Sequence, residues 1–427
     1  MGPIPFGLTR TLLLILDDKI CLARQGSRCD WDASGVKRHM GSKSLRKKSQ
    51  RNPWITSLLL PFGYGIFWFA GRNPGLMERL YAERIFPPLS RFISWPARLL
   101  PWSLGELLLI LILAGMALSL AGLLRALISG TPGFLMLLLR RVGGLLAMAG
   151  MLYASFVVLW GLNYLRPPIA STLSWPSEMP TPVELQSLCE ELAMEANLLR
   201  KDLPSDKRGV LLVDRRMVLA RRNEGYERIH GALVPVLPAL LHEPSRPKIA
   251  LFGPLMSRSL TYGMYIPWTG EALLNGSTPA PALAFSVCHE MAHQQGIARE
   301  DEANFIGYLA CRLHSDPLFR YSGARAALGE AMAQLWAVRP EAWKAIRASL
   351  GPGVLADEAA ETAWLREHKG RFSRVQGRVY DGYLKAQGQL DGSRSYGRVV
   401  DLLIADRRLT TKTQRDHEDA KDHKDKN

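Results

Sequence analysis

Cysteine is scarce in this 427-residue chain. The five present, Cys21, Cys29, Cys189, Cys288 and Cys311, are odd in number and include no CxxC pair, which argues against a disulfide framework. Cys288, although it adjoins a histidine, reads as a small buried residue on a helix. No nucleic-acid motif interleaves basic and aromatic residues, and Lys and Arg cluster next to apolar runs, so the formal net charge of +15 does not point to nucleic acid. Acidic residues are missing altogether from residues 37–51, which carry Lys37, Arg38, Lys43, Arg46, Lys47, Lys48 and Arg51. The short apolar run TLLLILDDKI near the start lacks a small-residue cleavage site, so no signal peptide is expected. Met40 opens MGSKSLRKKSQRNPW, which reads as a natural beginning, and no function is expected upstream of it.

Hydrophobic residues are abundant but unevenly spread. Three uncharged runs occupy Asn52 to Gly71, Leu107 to Leu124 and Val142 to Leu165. About 20 apolar residues carry a helix across a bilayer. Each run therefore predicts a transmembrane helix, the first being the weakest because Pro61, Gly63 and Gly65 interrupt it. Lys and Arg gather on the cytoplasmic side of spans. The basic flank 37–51 and the loop near Arg140 and Arg141 then face the cytoplasm, and everything after residue 166 is expected outside it. Arg72, Arg79, Arg84, Arg91 and Arg98, between the first two runs, pull mildly against that topology.

The expected organisation is a basic cytoplasmic N-terminus (1–51), a three-helix membrane domain (52–166), a mostly helical α+β domain (167–405) and a disordered charged tail (406–427). Pro167 to Pro182 reads as a linker. Residues 183–203 have helical apolar spacing. Residues 204–256 have no clear order. The first half of 259–274 predicts a strand, and 281–296 and 301–314 predict helices, with Gly296 as the C-cap between them.

The chemistry lies in His289-Glu290-Met291-Ala292-His293. Histidines four apart share one helix face, so both imidazoles reach one tetrahedral Zn2+. Glu290 reaches a water at such a metal without ligating it, and is the expected general base. A metzincin-type third histidine would fall at position 299, where the residue is Arg299, so that class is excluded. The remaining local donors are Glu300, Asp301 and Glu302. Glu302, in the first helical turn of EANFIGYLAC, is the favoured third ligand, and Glu300 is the alternative. The same acidic trio also suits helix capping.

At these residues the chain resembles a family of uncharacterised bacterial membrane proteins, domain-of-unknown-function family 3810. PWSLGE (101–106), LWGLNYLRPP (159–168), YGMYIPWTGEALLN (262–275), HEMAHQQGIAREDEANFIGYLAC (289–311) and YDGYLKAQGQLDGSRSYGRVVDLL (380–403) carry the resemblance. It covers about residues 54 to 405. It implies several N-terminal spans followed by a zincin-like domain similar to gluzincin peptidases, whose third ligand is a Glu in an EA-type motif that Glu302 matches. It also draws attention to Glu271 and Asn275 as substrate-binding residues, beside a strand to which a substrate backbone would add. A loop carboxylate paired with an arginine is the plainer reading of Glu271. Tyr396 is the candidate donor to a developing oxyanion, with simple packing as its alternative.

The expectation is a multi-pass protein of the bacterial cytoplasmic membrane, its partners being the lipid bilayer and a peptide or protein substrate. It would hydrolyse peptide bonds in a zinc-dependent reaction outside the cytoplasm. The alternative is a non-catalytic zinc-binding sensor or assembly protein. An ion path is disfavoured, since Glu106 is the one acidic residue at a span's edge.

Overall fold

The computed structural model describes residues 53–175, 178–233 (230–233 by backbone only), 245–387 and 398–411, all within one packed unit. They are mostly helical, with one small sheet. Three helical segments are long and apolar enough to cross a bilayer: Trp54–Gly71, Leu104–Ile128 and Phe134–Leu159, of 18, 25 and 26 residues. The first contains α1 (Leu59–Gly71), preceded by a short helical stretch at Pro53–Ser57. A π-helical stretch at Met77–Ile85 and α2 (Phe86–Arg98) lead to α3 (Leu104–Ile128) and α4 (Phe134–Leu159).

The third apolar helix differs from the sequence expectation. It begins eight residues earlier, so Arg140 and Arg141 lie inside α4 rather than in a loop. It also ends earlier, at Leu159, and the last residues of the apolar run form a 3₁₀ turn, Gly161–Leu165. Within that turn Leu162, Asn163 and Tyr164 are buried beside Trp160. Their apolar character serves a protein core rather than a span.

Helices α1 and α4 pack closely because both carry glycine at the crossing. A Cβ on Gly63 would lie 3.0 Å from the Ala154 Cα, and one on Gly150 would lie 3.1 Å from the Leu60 nitrogen. Residues 60 to 63 thus run alongside 150 to 154, and the two helices are parallel. Helix α3 packs beside α4 and runs the opposite way.

The C-terminal end of α4 and the N-terminal end of α3 meet the rest of the chain at the same level. Trp268 donates its indole N–H to the Ser155 hydroxyl at 2.9 Å. Glu271 accepts from the Gly105 N–H at 2.8 Å and the Leu104 N–H at 3.2 Å, satisfying amides that a helix start leaves unpaired. Glu106 accepts from Leu251 and Phe252 in the same way, at 3.0 and 2.8 Å.

The sheet has three strands: β1 (Lys248–Ile249), β2 (Gly263–Ile266) and β3 (Glu271–Leu274), in the order β1-β3-β2. β1 is parallel to β3 and β2 is antiparallel to it, with Gly263 opposite Leu274 and Ile266 opposite Glu271. The expected strand is β2, and β2 is an edge. β3 packs on α6 (Ala280–Gln294), which is followed by α7 (Glu300–Arg312), α8 (Pro317–Val338), α9 (Pro352–His368) and α10 (Arg371–Ala386). The core of this part collects Val287, Met291, Phe305, Phe319, Tyr321 and Leu335. The predicted helix at 183–203 is seen as α5 (Pro182–Arg200), started by a Thr181–Glu184 capping box.

The expected disordered tail is shortened by structure. Residues 398–411 are helical from 399, and Arg408 and Arg407 pair with Glu184 and Glu191 of the Pro182–Arg200 helix.

Candidate metal centre

Helix α6 places His289 and His293 one turn apart, and their Nε2 atoms lie 3.1 Å from each other. Gly296, at φ +86°, ends the helix in the left-handed conformation that glycine adopts freely. A Cβ there would lie 2.7 Å from the Phe86 ring, so position 296 also has no room for one. The reversal starts α7 at Glu300, and the Glu300 Oε2 lies 3.3 Å from the His289 Nε2 and 3.6 Å from that of His293. These three side chains form a donor group able to hold a metal ion. A tetrahedral ion with bonds of about 2.0–2.1 Å sets its donors roughly 3.3 Å apart. The observed triangle therefore has the size of one face of such a tetrahedron.

Glu302, the favoured third ligand, is not brought to the imidazoles. Its Oε1 accepts from the Ile169 N–H at 2.9 Å and lies 3.4 Å from Arg299. The physical reason is angular. α7 begins one residue before the expected start, and successive side chains are turned by about 100°. Glu300 faces α6 and Glu302 faces away. Asp301 pairs loosely with Arg398 at 3.8 Å.

The surroundings orient the donors. The His293 Nδ1–H donates to the Ile297 carbonyl at 2.7 Å, which turns Nε2 toward His289 and Glu300. Tyr380, on α10, donates to the other Glu300 oxygen at 2.5 Å. Burial works against the charge of Glu300, but the two imidazoles hold its carboxyl well below the usual range. Burial likewise opposes a charged His293, yet the Glu300 carboxylate carries it up to about 9. A group of bases held this way, with an anion already among them, is suited to a cation.

Glu290 is outside the donor triangle. It is buried, and its Oε2 has no hydrogen-bond partner among the described residues. Burial raises its carboxyl above the ordinary range, against the pull of His289 and His293. Strand β2 crosses directly over it, which requires glycine: a Cβ on Gly263 would lie 2.5 Å from the Glu290 Cγ and Oε1. All these groups line a cavity of about 710 Å³. Its walls include Phe156 and Trp160 from the end of α4, and the Trp160 ring lies 6.0 Å from that of His293.

Glu271 and Asn275 do not line that cavity. Besides capping α3, Glu271 opens strand β3 and is paired with Lys248 at 2.7 Å, an ion pair as in the plainer reading but with a lysine in place of the arginine and on a strand rather than a loop. Asn275 donates to the Thr261 carbonyl and the Ser257 hydroxyl, both at 3.0 Å, and accepts from the Ser277 N–H at 3.0 Å. It shapes the loop leading into β2. Tyr396 lies outside the described residues.

Sequence reasoning missed Tyr380, Gly263 and Trp160. All three sit in the segments that carried the resemblance, but nothing in their spacing connects them to positions 289–300. A tyrosine 80 residues after a carboxylate has no local signature.

Three bilayer-length apolar helices joined to a helical region that buries a His–His–Glu group define a class, a protein equipped to enter a membrane and to hold a metal ion. The chain belongs to the family described as protein of unknown function (DUF3810), whose model matches residues 81–404. No curated protein and no solved structure matches it. The matched region begins after the first apolar helix and contains every group of the candidate centre.

Proposed function

We propose that this chain is a membrane-anchored zinc peptidase whose metal is held by His289, His293 and Glu300, in a zincin-like domain. One observation carries the reading. Three donors converge at tetrahedral spacing, while a fourth group, Glu290, is buried beside them with an unpaired oxygen. Zinc at such a site supplies Lewis acidity, acidifying water and polarising a carbonyl oxygen.

The chain's own groups do the rest. Glu290, lifted in pKa by burial, takes a proton from the attacking water and passes it to the leaving amine. The exposed edge of β2 offers backbone groups to an extended substrate, and the glycine at 263 lets that backbone lie close over Glu290. The helix directions support an orientation. Residue 53 and the 129–133 turn lie at the end of the helices opposite the donor group. With the basic flank 37–51 in the cytoplasm, the donor group is outside it.

The test is Glu290→Gln in the purified full chain. Zinc should remain at one per chain, and cleavage of labelled casein should fall by about 10²- to 10⁴-fold. His293→Ala should lose both. Undiminished cleavage by Glu290→Gln would overturn the reading, and zinc without any cleavage in the unaltered protein would favour a metal-binding sensor.

A further inference from the structure

The depth of the donor group in the membrane can be read from the helices. A bilayer's hydrocarbon core is about 30 Å thick and a helix rises about 1.5 Å per residue, so about 20 residues cross it. Arginines mark the boundary far from the donor group, because their guanidinium groups seek the headgroups. Arg125 lies on α3, and Arg140 and Arg141 lie on α4. The two helices are in step there, since a Cβ on Gly122 would lie 3.9 Å from the Arg141 guanidinium. Counting about 20 residues back from Arg125 arrives at Gly105, and forward from Arg141 at Gly161. Counted along either of these two antiparallel helices, the boundary falls at the end nearest the donor group.

That boundary touches the site. A Cβ on Gly105 would lie 2.5 Å from Ile266, the last residue of β2. Trp160 is one ring contact, 6.0 Å between centroids, from His293. The headgroup layer is about 5–7 Å deep on each side. The donor group and β2 are therefore within it.

Helix α2 supports the same level. It connects the end of α1 to the start of α3, both at this boundary. Phe86, Ser94 and Ala97 are buried, and Ser94 is 2.8 Å from where a Cβ of Gly270 would stand, at the tip of the β2–β3 hairpin. The other face shows Phe92, Trp95 and Leu99 at 79%, 62% and 67% exposure. Aromatic side chains on an amphipathic helix of this kind lie in the interface. An almost wholly apolar groove lined by Leu59, Ile112, Met151 and Ser155, among others, rises between the three apolar helices. Its lining runs on through Ser155 to Leu159, and Phe156, within that stretch, lines the metal cavity.

We propose that the cavity takes membrane-anchored polypeptide, cutting within a few residues of the point where the chain leaves the bilayer. The apolar stretch lies along the groove and the emerging segment pairs with β2. The cleavage part rests on the peptidase reading, and the depth does not.

Two measurements separate them, both on the full chain in lipid vesicles. Nitroxides are placed by Met264→Cys on β2 and Trp95→Cys on α2, with C21S and C29S in both, and their depth is read from oxygen and nickel-chelate accessibility. Both should fall within about 7 Å of the phosphates. A Met264 label in bulk water overturns the proposal. The second measurement compares one fluorogenic linker peptide free in solution with the same linker following a leucine-rich transmembrane helix in the same vesicles. The anchored probe should be cut at least about tenfold faster, at the bonds nearest the helix. Equal rates overturn the proposal. If neither probe is cut faster than by Glu290→Gln, the peptidase reading falls, and the nitroxide depth alone decides where the site lies.

Discussion

The Tyr380 hydroxyl donates to the Glu300 Oε1 at 2.5 Å, while the Oε2 of the same carboxylate faces the two imidazoles. One carboxylate is thus shared between a metal-donor triangle and a helix 80 residues further along. Such outer bonds orient a ligand and stiffen the site.

Tyr380→Phe removes that bond and leaves the ring. Zinc affinity should fall by about 10- to 100-fold, with the protein still folded. Competition against a fluorescent chelator measures it, and an unchanged affinity would show that the hydroxyl does not position Glu300.

Glu300→Gln and Glu302→Gln separate the two acidic residues. The first should abolish stoichiometric zinc. The second should keep zinc and lose about 1 kcal/mol of stability, because the Ile169 amide gives up a charged acceptor. Metal analysis and thermal unfolding in detergent decide the matter, and zinc lost only with Glu302→Gln would reverse the assignment.

Gly263→Ala puts a methyl carbon where Glu290 now lies 2.5 Å from it. Glu290 or the strand must shift, and a displacement near 1 Å costs about 10² in rate. Cleavage should drop by that order with zinc retained. Full activity in this variant would mean that the closeness of β2 to Glu290 is irrelevant to turnover.

A pH effect is expected away from the site. Bonds from Arg408, and then from the Thr181 amide, hold Glu184 at about 2, below its ordinary 4.5. The folded value is the lower one. The pair therefore stabilises above pH 4.5 and is lost as the pH falls toward 2. Both side chains are partly exposed, so the contribution is small and screened by salt. Arg408→Ala should lower stability at pH 7 and flatten the decline between pH 4.5 and 2. Melting curves with an unaltered acid slope would exclude the pair as a contributor.

Much of the architecture is local in origin and so was legible in the residues. Spacing by four put His289 and His293 on one helix face, because a helical turn holds 3.6 residues. Apolar length identified three bilayer-sized helices, and Gly296 marked the turn after the metal helix. The ends of these elements were less legible. The run through Leu165 stays apolar because Leu162 and Tyr164 enter the core beside Trp160, and hydropathy does not distinguish lipid from protein interior.

What the sequence determined by itself was the helical pairing of two imidazoles with an adjacent carboxylate, and the apolar helices that accompany them. The tertiary structure decided the rest. Starting α7 at Glu300 turned that residue toward α6 and Glu302 toward Ile169, a choice of about 100° per residue. It also spent Glu271 on the amides of α3, and brought Tyr380 and Gly263 to the donor group from distant positions. Those outcomes depend on packing between elements far apart in the chain, and no local pattern of residues records which carboxylate a fold will turn inward.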